Sequence, residues 1–288
     1  MKNSTIVVLG ASGFIGKHIA NKFKKENYPT KTSSRKELDL LKHSSILKLS
    51  KLLHTNTILI IASSVVREYG DTVENMLKNI KMCINISEAL KLKPIQKCVF
   101  LSSCDVYENT NLPITENTTL CPRTYYAIGK ITCEYILKSI TQHKKIPLLI
   151  LRFPGVYGPN QNIKKYGPSG FIYSILNDDF VKIWGDGEEK RDFVYVKDIS
   201  SIIFELATGK ISGAINLATG KNYTFMEVIK IIEKIHTKQI KIIRITRTAS
   251  SFNMQFNVEN LKKILPHFRF SSIEQALRET YFETASRH

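Results

Sequence analysis

Short apolar runs alternate with amphipathic stretches through the first half of the chain. Ile6 to Leu9 is a β-branched run, and the segment FIGKHIANKFKKEN places Ile15, Ile19 and Phe23 on one helical stripe with lysines opposite. The spacing predicts strand, glycine turn, helix. The same rhythm predicts strands over Thr57 to Ala62, Lys97 to Leu101 and Pro147 to Phe153. Between them it predicts a helix from about Asp71 to Leu90, with Leu77, Ile80 and Ile84 at helical spacing before Pro94, and another from about Thr124 to His143. Strands alternating with helices imply right-handed crossovers and a parallel sheet covered on both faces. Strands apolar at every position fit that burial.

After Phe153 the rhythm changes. RFPGVYGPNQNIKKYGPSG is rich in Gly, Pro and Asn and reads as a long functional loop. The remainder mixes short strands with helices, two of them opened by capping boxes, Thr224 to Glu227 and Ser271 to Glu274. No internal repeat or low-complexity tract interrupts it.

Composition narrows the class. At 288 residues, 43% hydrophobic and 23% charged, the chain has ample material for a core, and disorder, collagen-like repeats and coiled coil are excluded. Lys plus Arg is 42 against 25 for Asp plus Glu, a net charge of +17, which turns attention to anionic partners. The lysines are scattered, with no basic-aromatic stripe or RGG segment, so nucleic acid is not the expected partner; a solvated lysine bias is the plainer reading. Five cysteines form no CxxC pair and no Cys/His ligand spacing, as expected of a reduced chain without a metal site. The first apolar run spans four residues and none approaches about 18, so the expectation is a cytoplasmic protein without a membrane partner.

Three constellations carry chemistry. Gly10-Ala11-Ser12-Gly13-Phe14-Ile15-Gly16 stands where the first strand meets the first helix. Such glycines permit a tight turn and let backbone approach a pyrophosphate, while the helix start offers unpaired N–H groups to the anion. The expected fold is therefore a Rossmann-like doubly wound parallel sheet with a smaller C-terminal mixed α/β substrate lobe. Residues 1–160 are the expected dinucleotide-binding domain, with later segments returning to it, and 161–288 the substrate lobe.

The second strand should end near Ser33, where an NAD site usually offers a carboxylate to the ribose hydroxyls. Thr32-Ser33-Ser34-Arg35 has none, and Arg35 suits the 2′-phosphate of NADP; the other reading is an exposed surface arginine. NADP(H) is the expected cofactor, with NAD(H) open. The third constellation is Ser103 with Tyr126 and Lys130. Tyr and Lys four apart on a helix share a face, so an ammonium near the phenol is expected to lower a pKa that is ordinarily about 10. That would make Tyr126 a usable acid or base near neutrality.

In their order along the chain these motifs resemble the extended short-chain dehydrogenases/reductases, specifically the nucleotide-sugar epimerases, dehydratases and reductases. The resemblance runs through GASGFIG, Leu38-Asp39-Leu40, the strand ending Ala62-Ser63, FLSSCDVY, Pro122 to Lys130, RFPGVYGP, IWGDG and RDFVYVKD. It implies that Gly10, Gly13 and Gly16 hold the pyrophosphate with Ser12, Phe14 and Ile15 nearby, that Asp39 and Leu40 flank the adenine, and that Ala62 lines the cofactor. It further implies Tyr126 as acid/base, Lys130 on the nicotinamide ribose, Ser103 on the reacting oxygen and Arg191 on the sugar-nucleotide phosphates, where a guanidinium chelates two oxygens. For Arg191 a surface ion pair with a neighbouring acid is the competing reading.

Departures refine the expectation. The family's 4,6-dehydratases carry Asp-Glu after the position of Ser103, whereas this chain has Cys104-Asp105, and its usual loop Asn is replaced by Gly155. Trp184 is open between lining a nucleotide pocket and packing. The resemblance implies an NADPH-dependent reductase of a nucleotide-linked 4-keto-6-deoxy sugar, with a 4-epimerase as rival and a non-catalytic nucleic-acid binder as a distant third. A homodimer through two packed helices is frequent in the family.

Overall fold

The computed structural model describes residues 3–110, 113–161, 167–178, 180–246 and 253–286. The first half contains β1 (Thr5–Leu9), α1 (Phe14–Lys25), β2 (Thr30–Thr32), α2 (Ser45–Ser50), β3 (Thr57–Ile61), α3 (Val73–Leu92), β4 (Lys97–Leu101), α4 (Tyr125–His143) and β5 (Leu148–Arg152). β1 pairs in parallel with β2 and β3, and the parallel ladder continues through β4 to β5. A sixth strand, Gly213–Asn216, follows β5, giving the order 213–216, β5, β4, β3, β1, β2. The order reverses between β1 and β3, so a crevice opens beyond their carboxyl ends, where Gly10 and Ala62 lie.

Both sheet faces are buried, as the continuous apolar strands demand. Val7, Leu59, Cys98 and Ile150 pack on one face against Ile86 and Leu90 of α3 and Leu137 of α4. Alternate positions point the other way. Ile19 and Phe23 of α1 are fully buried, and Phe23 meets Phe204 edge-on at 5.2 Å. Lys97, at the start of β4, sends its ammonium to the carbonyls of Leu206 (2.6 Å) and Gly209 (3.0 Å), satisfying the end of the helix Val196–Thr208.

The chain forms two compact units, one of residues 1–108, 119–152 and 200–215, the other of 109–118, 153–199 and 216–288. The second unit holds the parallel pair Gly155–Tyr157 with Phe193–Tyr195, the parallel pair Phe180–Trp184 with Lys241–Ile245, and the antiparallel pair Lys190–Arg191 with Tyr223–Thr224.

Three expectations change. The stretch read as one long loop contains the strand Gly155–Tyr157 and the start of the helix Gly167–Asp178; its residues 162–166 lie outside the described set. On α3 the stripe begun by Leu77 and Ile84 faces outward, at 54% and 38% exposure, while Cys83, Ile86, Ala89 and Leu90 cover the sheet. This helix is apolar on more than one side, so spacing alone does not choose the inner one. The box at Thr224 and Glu227 forms in full. The last helix instead starts one residue later, with Ser272 as cap, because Asp198 takes both the N–H and the hydroxyl of Ser271.

Candidate active site

The glycine turn is shaped by contacts that a side chain would destroy. Gly10 has φ +84°, and a Cβ there would lie 2.6 Å from the Ser63 nitrogen. A Cβ on Gly16 would lie 2.2 Å from the Gly10 carbonyl oxygen, so this glycine lets α1 sit directly on the turn. Gly13 differs. It caps α1 with φ −80°, and a Cβ would meet nothing nearer than 3.3 Å. Ser12 and Gly13 are exposed, and no acidic side chain stands in the first turn of α1. The result is a small open cradle at a helix N-terminus, with the Phe14, Ile15 and Gly16 N–H groups available to an anion. Ala62, whose N–H bonds Leu9 O at 2.9 Å, forms the neighbouring wall.

Ser103, Tyr126 and Lys130 meet at the ends of β4 and α4. Ser103 caps a short 3₁₀ turn, its hydroxyl accepting from the Asp105 N–H at 3.2 Å. Thr124 caps α4 through the Ala127 N–H (3.1 Å), and Asp71 accepts the Tyr126 N–H (2.9 Å). Lys130, 5% exposed, donates to Leu101 O at 2.8 Å, and its ammonium lies 5.6 Å from the centre of the Tyr126 ring. Burial lowers its pKa to about 8.

The expected depression of the phenol is not found. Burial pushes the Tyr126 pKa above the ordinary range, and the carboxylates of Asp105 and Glu68 push it further, against a smaller opposing effect of Ser103. Lys130 lies over the ring face and gives its hydrogen bond to Leu101, so it does not offset those carboxylates. Burial and the two carboxylates together favour the protonated phenol.

A buried polar frame fixes the trio from behind. Glu134, one turn beyond Lys130, binds Arg152 through two bonds of 2.9 and 2.6 Å and accepts the Ser102 hydroxyl at 2.6 Å. Arg152 also donates to the Tyr107 hydroxyl at 2.9 Å. Sequence reasoning missed this frame because its members are 18 to 45 residues apart. It also missed Asn79, whose amide bonds both the N–H (2.7 Å) and the carbonyl (2.9 Å) of Val65 and so holds the segment after β3. Asp105 had a signal, being adjacent to the Ser103 motif.

The remaining candidates are more open. Arg35 is 77% exposed and faces Asp39 at 3.7 Å, while Leu40 is buried beneath. In the second unit Arg191 pairs with Glu189, the neighbouring-acid arrangement, and donates to Lys190 O at 3.1 Å. Trp184 is 45% exposed. Among the described residues no three His, Cys, Asp or Glu side chains gather as a metal site, and no helix is long and apolar enough to cross a membrane.

The profile of the NAD dependent epimerase/dehydratase family matches residues 6–218, from β1 through the sixth strand. The chain belongs to this family. GDP-L-colitose synthase of Yersinia pseudotuberculosis is 31% identical over 80% of this chain and 81% of its own. The dTDP-4-dehydro-6-deoxyglucose reductase of Escherichia coli is 25% identical over 83% and 84%. A solved structure of UDP-N-acetylglucosamine 4-epimerase from Methanobrevibacter ruminantium, in complex with UDP-N-acetylmuramic acid, superposes with a TM-score of 0.88 at 28% identity, covering both chains fully. The protein is thus an NAD(P)-dependent oxidoreductase or epimerase of nucleotide sugars with a Rossmann-like fold. Its own geometry fits the family's dinucleotide: the start of α1 is exposed at Ser12 and Gly13, and a Cβ on Gly13 would already crowd the Gly10 carbonyl oxygen at 3.3 Å.

Proposed function

We propose that this epimerase/dehydratase family member is an NADPH-dependent reductase of a nucleotide-linked 4-keto-6-deoxy sugar. The observation that carries the reading is that buried Ser103 and Lys130 stand with Tyr126 at the ends of β4 and α4, the Lys130 ammonium 5.6 Å from the phenol ring centre, in the unit that also holds the anion cradle. The nicotinamide, when bound, supplies the hydride. Tyr126 donates the phenolic proton to the C4 oxygen as charge develops there, and Ser103 hydrogen-bonds the same oxygen. Lys130 holds the nicotinamide ribose. Gly10, Ser12, Gly13, Phe14, Ile15 and Gly16 hold the pyrophosphate, with Asp39, Leu40 and Ala62 along the adenosine and Arg35 on the 2′-phosphate. Arg191 exchanges Glu189 for the substrate phosphates. The first unit serves the dinucleotide and the second the sugar nucleotide.

The likeness to the 4-epimerase of Methanobrevibacter ruminantium supports a second reading, in which Tyr126 would take and later return the C4 hydroxyl proton, with a bound nicotinamide supplying acceptance of the hydride and its return to the other face. Incubation with a panel of nucleotide sugars and keto sugars separates them. The reductase consumes one NADPH per 4-keto sugar; an epimer formed without added or consumed NADPH establishes the epimerase instead. The outward apolar residues Val73, Leu77 and Ile84 on α3 and Tyr125, Ile128 and Tyr135 on α4 support a homodimer through these two helices, checked by light scattering. The free thiols suit a reducing, cytoplasmic setting.

A further inference from the structure

Arg191 stands on a very short piece of sheet in the second unit. Lys190–Arg191 pairs with Tyr223–Thr224 through two residue pairs, Arg191 opposite Tyr223 and Lys190 opposite Thr224. Isolated two-stranded pairings are marginal in water, so other groups must hold this register. On one edge Asn253 accepts the Lys190 N–H at 2.9 Å, and the Met254 N–H reaches the Lys190 carbonyl at 3.3 Å. The same carbonyl accepts from the Arg191 guanidinium at 3.1 Å, so the setting of that peptide bears directly on where the guanidinium sits.

On the other edge the holding group is Asp192, next in sequence and fully buried. Its Oδ1 accepts the Thr219 N–H at 3.2 Å and the Thr219 hydroxyl at 2.9 Å, and its Oδ2 accepts the Gly220 N–H at 2.8 Å. The Thr219 hydroxyl in turn accepts the Lys221 N–H at 3.0 Å, closing the turn that runs into Tyr223. Gly220 has φ +74°, and a Cβ there would lie 2.9 Å from Val258 Cγ2, so the turn has little freedom to settle differently. Among the described residues no cation pairs with the Asp192 carboxylate, and burial pushes its pKa up to about 6 although all three hydrogen bonds pull the other way. A buried carboxylate without a cation is unfavourable unless its donors are fixed, so the acid and the turn hold each other. None of the steps assigned to Ser103, Tyr126, Lys130 or Arg191 uses this acid.

We propose that Asp192 is a positioning residue: by pinning the turn 219–221 it fixes Tyr223 against Arg191 and holds the guanidinium where it exchanges Glu189 for two phosphate oxygens. The proposal rests on the reading of Arg191 as the group that takes the sugar-nucleotide phosphates. A chelating guanidinium is useful only in one orientation, which is why a second group has to set it. Calorimetry on the full chain with UDP, GDP and dTDP, with NADPH or NADH present, finds the nucleoside diphosphate that the wild type binds, and the variants are read with that probe. Asp192→Asn should lose about tenfold in affinity for it, while dinucleotide binding followed by fluorescence stays within about twofold. In the Arg191→Ala background the same change should cause no further loss, because a residue acting through Arg191 then has nothing left to act on. Additive losses overturn the proposal, since they mean that Asp192 only supports the fold. Unchanged affinity in Asp192→Asn, with Arg191→Ala weakened, overturns it too and leaves the Arg191 reading standing. Unchanged affinity in Arg191→Ala, or no binding of any of the three diphosphates to the wild type, sinks the Arg191 reading and the positioning role with it. Thr219→Val removes one of the three donors and should lose about threefold, again with no further loss beside Arg191→Ala. It decides the matter alone should Asp192→Asn not fold, and unchanged affinity in it then overturns the proposal.

Discussion

The two ends of the dinucleotide crevice are built on opposite principles. At the Tyr126 end Ser103 and Lys130 are buried, each with a fixed hydrogen bond, and the frame of Glu134, Arg152, Ser102 and Tyr107 lies behind them. At the Arg35 end the arginine stands in water, with one loose contact to Asp39, and Lys36 and Lys42 beside it have no ion-pair partner among the described residues. A proton transfer needs donors already in place, because reorganisation would add to the barrier. Recognition of a phosphate in water needs only charge within reach, and exposed ion pairs cost little to exchange. The molecule is rigid where bonds would change and adjustable where a ligand would be selected.

Removing the frame should break this contrast most severely. Arg152→Ala strands the buried Glu134 carboxylate, and urea unfolding should show a loss of about 3–5 kcal/mol, the usual cost of orphaning half of a buried pair. Tyr126→Phe should lower turnover by roughly 10²–10⁴-fold, the range for a lost acid/base group, while fluorescence titration shows the dinucleotide still bound. Retained turnover would remove Tyr126 from its assigned role.

The glycine turn sharpens the comparison at a smaller scale. Gly16→Ala should lower the melting temperature, since its Cβ would overlap the Gly10 carbonyl. Gly13→Ala should leave melting nearly unchanged and weaken dinucleotide binding by about tenfold, or about 1.4 kcal/mol. Equal effects of the two substitutions would mean that Gly13 is structural too. At the open end, Arg35→Ala should cost a few-fold in NADPH affinity and nothing in NADH affinity; exposed charge pairs are worth about 1 kcal/mol or less. Equal loss for both cofactors would separate Arg35 from the 2′-phosphate.

The last expected effect is a pH dependence. Burial lowers the pKa of Lys97 and of Lys130 to about 8, against about 10.4 for an unfolded lysine. Between these values the unfolded chain holds more protons, so stability should rise with pH across that window, having been reduced in full below it. Above about pH 10 the trend should reverse, because unfolded tyrosines ionise before Tyr126, Tyr157 and Tyr195, whose pKa values are all raised, with desolvation the largest cause. Melting curves over this range check both signs, and Lys97→Met should flatten the rise.

Much of the fold was legible because short-range rules decide it. Glycine chemistry set the turn after β1, and Thr124 capped α4 one residue from the expected helix start. The Tyr126 and Lys130 spacing placed both residues on α4. What remained hidden depends on distant partners. The direction of the Tyr126 shift is set first by burial and then by Asp105 and Glu68, and the cap of the last helix moved because Asp198 reaches Ser271 across 73 residues. The outward stripe of α3 was ambiguous for another reason: a helix with two apolar faces carries no periodic mark of which one meets the sheet.

The position of Gly213–Asn216 beside β5 has a consequence for synthesis. A chain leaving the ribosome exposes β5 as an open sheet edge from residue 152 until residue 216 has emerged, through the making of some sixty further residues. During that interval Leu148–Arg152 presents unpaired backbone to any passing strand, a recognised aggregation hazard. The frame bond from Arg152 to Glu134 can form before the sixth strand arrives, because both partners are already out, and it anchors the last residue of that vulnerable edge early.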